Sequence, residues 1–257
     1  MTHHPVLPRL ALATALSACA AAAPAAIVTS TVVNTGDMQA GDWTQQVQRD
    51  DGPASLAVSI AASGGNGGSF WLHELARPLG PGNSSNVVAN LFGAASWDPG
   101  TQGAVALIDF ALDARGLFST GIGTPITGFV RPVIEQGGVI YSVAGTSTPL
   151  NVGATWQAIQ RLFSDSDNWI DLSATPGVRP DFSDSGAVIH FGYRYELSLT
   201  CSSSTVGCTA ASTQLGVDNF RVAVGTDVQA AAVPEPPVTA LLAVALLALG
   251  WAGRRQR

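Results

Sequence analysis

Residues 27–33 read Ile-Val-Thr-Ser-Thr-Val-Val, and residues 34–37 that follow read Asn-Thr-Gly-Asp. The first stretch is dominated by β-branched side chains, whose stiff χ1 suits a pleated strand better than a helix. The second is a turn signal: Asn and Asp bond their own backbone, and Gly accepts a positive φ. Strand followed by turn then recurs through the middle of the chain. Further strands are predicted over 55–61, 68–74, 86–91, 104–112, 127–134, 139–144, 187–191, 193–200 and 216–224. The segments between them carry Gly, Pro, Asn and Asp, as in Ser63-Gly64-Gly65-Asn66-Gly67 and Pro78-Leu79-Gly80-Pro81-Gly82-Asn83. Many short strands at this spacing predict an all-β, jelly-roll-like β-sandwich over 26–226. One segment departs from the pattern. Trp156, Ile159, Leu162 and Phe163 recur at three- and four-residue spacing, which predicts a short amphipathic helix over 154–163.

Composition agrees with a β fold. Charged residues make up 12% of the 257, about half the share of an average soluble domain. Gly numbers 28, and all 12 basic residues are arginines. The formal charge is −6, yet Arg9, Arg254, Arg255 and Arg257 lie in the terminal segments, so the domain between them is more acidic than the whole. An acidic domain without a basic stripe repels a phosphate backbone, so no nucleic-acid partner is expected.

Three cysteines are present. Cys201 and Cys208 flank Ser-Ser-Ser-Thr-Val-Gly, a polar stretch that reads as a hairpin loop, and in an exported protein they are expected to form a disulfide. Cys19 belongs to the N-terminal segment.

That segment has the three parts of a signal peptide over 1–25. A polar start contains His3, His4 and Arg9, an uncharged apolar run covers 10–23, and Ala23-Pro24-Ala25-Ala26 supplies an Ala-x-Ala cleavage pattern at Ala23 and Ala25. The run is short for a bilayer span. The expected partners are the Sec translocon and signal peptidase. A competing reading takes Leu16-Ser17-Ala18-Cys19 as a lipobox, with Cys19 lipidated; the apolar run that continues past Cys19 favours ordinary cleavage.

At the other end, an Ala- and Val-rich linker over 227–232 leads to Val233-Pro234-Glu235-Pro236. The uncharged apolar stretch 237–253 comes next, and then Arg254-Arg255-Gln256-Arg257. At about 1.5 Å per residue the stretch is just long enough for a transmembrane helix across a thin bilayer. The terminal arginines favour the cytoplasmic side, which leaves Glu235 and the domain outside. Motif, apolar helix and basic tail over 233–257 resemble the PEP-CTERM sorting signal. The resemblance implies a Gram-negative source, a membrane-anchored precursor, and processing near Pro234-Glu235-Pro236 by an exosortase-type protease, with the product at the cell surface or outside it. A plain single-pass anchor with a proline spacer is the alternative.

A second resemblance joins the two edges of the domain. Asn34-Thr35-Gly36-Asp37-Met38-Gln39-Ala40-Gly41-Asp42-Trp43 and Gly216-Val217-Asp218-Asn219-Phe220-Arg221-Val222 resemble the opening and closing segments of galactose-binding-like carbohydrate-binding jelly rolls. By that resemblance Asp218 would help hold a structural Ca²⁺. Gln39 stands where an acidic partner is expected, however, and one carboxylate is not a calcium site. Beyond that ion no cofactor is expected.

Catalytic motifs do not emerge. His73 and His190 lie in no hydrolase or metalloprotease pattern, and Gly64–Gly68 lacks the Lys and following helix of a phosphate loop. Asp165-Ser-Asp167-Asn168-Trp169-Ile170-Asp171 lacks the glycine of a calcium-binding EF-hand loop, and Pro176 replaces its last ligand. Asp181 and Asp184 are a candidate carboxylate pair for a glycosidase. Trp97, beside Asp98-Pro99-Gly100, and Trp169, in the acidic segment, are candidate exposed rings for stacking on sugars. The expected function is that of a non-catalytic surface or extracellular-matrix protein acting by adhesion or glycan contact; a secreted glycoside-active enzyme and a purely structural envelope component remain open.

Overall fold

The computed structural model describes residues 26–36, 38–78, 80, 82–119, 126–153, 155–172, 177–201 and 210–228. Ile27–Asp227 make one compact unit. The predicted signal peptide, sorting motif and apolar C-terminal stretch lie outside the described residues, as does Cys208 of the predicted disulfide. Among the described residues no helix is long and apolar enough to cross a membrane.

The chain runs through β1 (Ala26–Asn34), β2 (Trp43–Asp51), β3 (Ser55–Ala61), β4 (Phe70–Arg77) and β5 (Gly82–Trp97) to the helix α1 (Pro99–Gln102). It continues through β6 (Val105–Ser119), β7 (Ile126–Gln136), β8 (Val139–Val143), β9 (Thr148–Asn151) and β10 (Gln157–Phe163). The last strands are β11 (Trp169–Asp171), β12 (Ile189–Cys201) and β13 (Ala211–Val228). Two antiparallel sheets result. The first has the order β10-β6-β13-β4-β3, with β1 also against β13; the second has the order β11-β8-β7-β12-β5-β2, with β9 also against β7. Late strands pair with early ones, β12 with β5 and β7, and β13 with β4 and β6. This is the jelly-roll-like sandwich the strand spacing predicts.

Alternation along the strands builds one core between the sheets. Trp43 of the second sheet sits at its centre. Its ring lies edge-on to Phe220 at 5.0 Å, to Phe92 and Tyr193 at 5.3 Å, and to Trp71 at 6.4 Å. Such aromatic pairs add about 0.5–1.5 kcal/mol each beyond the area they bury. The opening segment and the closing strand meet here. The Thr35 amide donates to the Phe220 carbonyl at 3.0 Å, and the Thr35 hydroxyl donates to the same oxygen at 3.2 Å.

The helix predicted over 154–163 is a correction. Residues Gln157–Phe163 form β10, paired antiparallel with β6 from Gln157 opposite Ala114 to Phe163 opposite Ile108. A four-residue interval places two side chains on one face of a strand as well as of a helix. Ile159 and Phe163 are indeed buried together, while Leu162 is 61% exposed where a helical stripe would have covered it. The one short α-helix among the described residues is α1, set by Pro99 in its first turn and by the Asp98 carboxylate, which accepts from the Gly100 amide at 3.0 Å.

Candidate functional site

Neither predicted stacking ring is exposed. Trp97 is buried at the end of β5, and its indole N–H donates to the Gly103 carbonyl at 2.9 Å. Trp169 is buried between Phe163 and Phe182, with its N–H on the Ser164 carbonyl at 2.9 Å. A neighbouring turn suggested exposure, but each indole N–H finds a loop carbonyl, which allows the ring into the core without an unmet donor. Trp43 and Trp71 are core residues too, and Trp156 is half-buried against Phe70.

Asp218 is fully buried at an irregularity where the pairing of β13 with β6 shifts register between Asp218 and Arg221. Its two carboxylate oxygens accept from the amides of Asn66, at 2.7 Å, and Asn219, at 2.8 Å. Asn219 has a φ of 49°, a left-handed conformation Asn tolerates. Its side-chain amide donates to the Asn66 carbonyl at 2.8 Å and to the Asp113 carboxylate at 2.7 Å. The carboxylate thus ties the loop after β3 to the closing strand. Both oxygens that a Ca²⁺ would use already accept N–H groups, and Gln39 is exposed. Among the described residues no three His, Cys, Asp or Glu side chains converge as metal ligands. With these partners Asp218 serves as a buried acceptor that joins the loop at Asn66 to β13.

The candidate acid–base groups are committed elsewhere. His73 is fully buried, its Nε2 at 3.0 Å from the Tyr193 hydroxyl, and burial pulls its pKa down to about 3. Asp181 accepts from the hydroxyl and amide of Ser183, which lowers its pKa, the opposite of what a glycosidase's general acid needs. Asp184 accepts from the Ala104 amide at 2.8 Å.

The outer face of the second sheet carries a different arrangement. In β12, Tyr193, Tyr195 and Leu197 point into the core, so Arg194 and Glu196 point out. Register extends this face sideways. Arg194 stands opposite Arg131 of β7 and Ala89 of β5, and Ala89 stands opposite Gln46 of β2. In the next row Glu196 stands opposite Phe129 and Val87, and Val87 stands opposite Arg49. Arg49 donates to Glu196 at 3.0 Å and to the Ser85 hydroxyl at 2.6 Å. Phe129 is 38% exposed.

Val87 and Ala89 are wholly buried although they belong to this outer face. Long arginine stems cover apolar surface while their heads stay near water. The heads differ in their partners. Arg77, Arg161, Arg179 and Arg221 each donate to a carbonyl or carboxylate oxygen. Arg131 and Arg194, both half-buried, make no hydrogen bond or ion pair among the described residues, and the Arg194 Nε is buried without an acceptor. Burial lowers the pKa of Arg194 to about 10; Arg131 and Arg49 push the same way and Glu196 opposes them. Burial lowers Arg131 as well, again with Glu196 opposing. Both remain cations at neutral pH.

The sequence pointed to none of these residues. Alternation around Tyr193-Arg194-Tyr195-Glu196-Leu197 places Arg194 and Glu196 outside, but only the pairing of β12 with β7 brings Arg131 beside them. Cationic groups 63 positions apart in the chain form a patch that no run of basic residues announces.

No protein-family model matches the sequence, and no curated protein matches it. Among solved structures, a carbohydrate-binding module described for mannan recognition, TmCBM27, is similar over 78% of this chain and 99% of its own, at 12% identity and a TM-score of 0.36. The family 22 carbohydrate-binding module of Clostridium thermocellum Xyn10B covers 76% of this chain and 94% of its own, at 14% identity and 0.37. The enzymatically active domain of tailspike protein 4 from bacteriophage CBA120 covers 76% of this chain and 21% of its own, at 10% identity and 0.39. At such identities and TM-scores, none of these proteins bears on what this chain does.

Proposed function

We propose that the protein is exported, is sorted at its C-terminal end by an exosortase-type protease, and acts without catalysis at the cell surface or in the extracellular matrix by contact with polysaccharide. The observation that carries the contact is the outer face formed by β2, β5, β7 and β12. Gln46, Arg49, Arg131, Arg194 and Glu196 stand there in register beside the half-open ring of Phe129. Planar guanidinium and amide groups bond pairs of adjacent oxygens, and an aromatic face packs on the C–H face of a sugar ring. Strands hold such groups more rigidly than loops do, so little order is lost on binding. Export is supported by the end segments: Ala23 and Ala25 at the front, and Val233-Pro234-Glu235-Pro236 with Arg254, Arg255 and Arg257 at the back.

The test is retention of the full chain, in a mild non-ionic detergent, on a panel of immobilised neutral and acidic polysaccharides. Retention is expected on at least one, weakened several-fold by Phe129→Ala with an unchanged thermal midpoint. Retention on none would remove the polysaccharide reading. For sorting, the mature mass should fall by the tail only when an exosortase-type protease is present.

A further inference from the structure

We infer that the outer face of the second sheet takes an acidic polysaccharide, and that Arg131 and Arg194, assisted by Arg49, hold a carboxylate of its uronate units. This deepens the polysaccharide reading and rests on it.

Three observations converge. The first is the register: Arg194 and Arg131 are direct cross-strand partners. Like charges directly opposite each other destabilise a sheet, so a structural role alone is a poor reason to place them there. The second is the lack of satisfaction. Arg49 has Glu196, Ser85 and Asp51 around it, whereas the heads of Arg131 and Arg194 have no acceptor among the described residues. Glu196 is the nearby counter-charge, and its carboxylate already accepts from Arg49. The third is the setting. Both heads are half-buried, so a carboxylate meeting them is attracted through a medium less screening than bulk water. Two adjacent guanidinium forks match the planar, two-oxygen geometry of a carboxylate.

The surroundings limit which polyanion fits. Residues 26–226 contain 8 arginines against 16 carboxylates, and Asp51 and Glu196 border the patch. A nucleic-acid duplex carries a charge about every 1.7 Å along its axis and would meet that acidic border. A glycan with isolated carboxylates between neutral hydroxyls does not, and its hydroxyls suit Gln46, Ser85 and Ser198 in the neighbouring rows.

The experiment pairs polymers of one backbone. Full-length protein is passed over immobilised polygalacturonate and over its fully methyl-esterified form, with dextran sulfate, dextran and duplex DNA as further arms. The variants are Arg131→Met, Arg194→Met and the double variant, in which Met keeps a long apolar stem and removes the charge. The expected result is at least tenfold stronger retention on the acid than on its ester, lost in the double variant and weakened by added salt. Preference for dextran sulfate over polygalacturonate would replace the carboxylate by a sulfate and overturn the uronate assignment. Equal retention on acid and ester, unmoved by the variants, would overturn the acidic-ligand inference and leave polysaccharide contact standing. Preference for DNA, or retention on no polysaccharide, would overturn both.

Discussion

Asp218 and Arg194 are both charged groups drawn out of water by the same sandwich, and the fold treats them in opposite ways. Asp218 is fully buried, yet its two oxygens accept the amides of Asn66 and Asn219. Arg194 is only half-buried, but it has a like charge opposite and a buried Nε without an acceptor. A buried charge costs several kcal/mol unless hydrogen bonds compensate it. Where the chain needs a junction held, it supplies them. On the outer face of the second sheet it gives Arg131 and Arg194 no acceptor among the described residues, with Glu196 a counter-charge already bonded to Arg49, and such local conflicts gather at functional sites.

The contrast implies different responses to mutation. The largest effect is expected for Asp218→Ala, which leaves two amides without their acceptor and removes one of the two ties between the loop at Asn66 and β13. The loss of roughly 2–3 kcal/mol follows from two orphaned donors and is read by denaturant unfolding; an unchanged midpoint would show that the carboxylate is not structural.

His73 gives the next effect. Its folded pKa of about 3 lies below the 6.5 of an unhindered histidine, so the unfolded chain takes up the proton first. This contribution to stability is complete above about pH 6.5 and is lost as the pH falls towards 3, at about 1.4 kcal/mol per unit once the unfolded histidine is fully charged. His73→Leu should flatten the stability curve between pH 6.5 and 4.5, whatever it does to the level. A curve that keeps its slope in the variant would assign the acid sensitivity to carboxylates instead.

The smallest effect has the most telling sign. Arg131→Met removes one of two repelling neighbours and keeps the stem, so its thermal midpoint should equal or exceed that of the parent, by no more than about 1 kcal/mol in stability. A clear loss would make Arg131 a structural residue.

Much of the sandwich was readable from residue order, because β-branched runs and Gly-, Pro- and Asn-rich turns act locally. Ile27 to Asn34 fall in β1, where the side chains place them. The junction of Thr35 with Phe220 was not readable, since nothing local ties positions so far apart. The segment after Trp156 failed for a physical reason: a four-residue spacing of Ile159 and Phe163 is common to helix and strand, and pairing with β6 decides between them. Trp97 and Trp169 failed because a turn beside a ring says nothing about whether the ring's N–H can reach a buried carbonyl. The arginine face was invisible for the same reason that β12 and β7 were seen only as separate strands. Alternation gives each strand its outer side, and register gives the neighbours.

The most direct measurement is the thermal midpoint of the full chain and of the Arg131→Met/Arg194→Met double variant, each with and without polygalacturonate. Binding to the folded state alone raises the midpoint with ligand concentration. The parent should start no higher than the variant and rise by several degrees with the polyanion, while the variant stays where it began. A variant that starts lower and rises as far as the parent would mean that the two arginines serve the fold rather than a ligand.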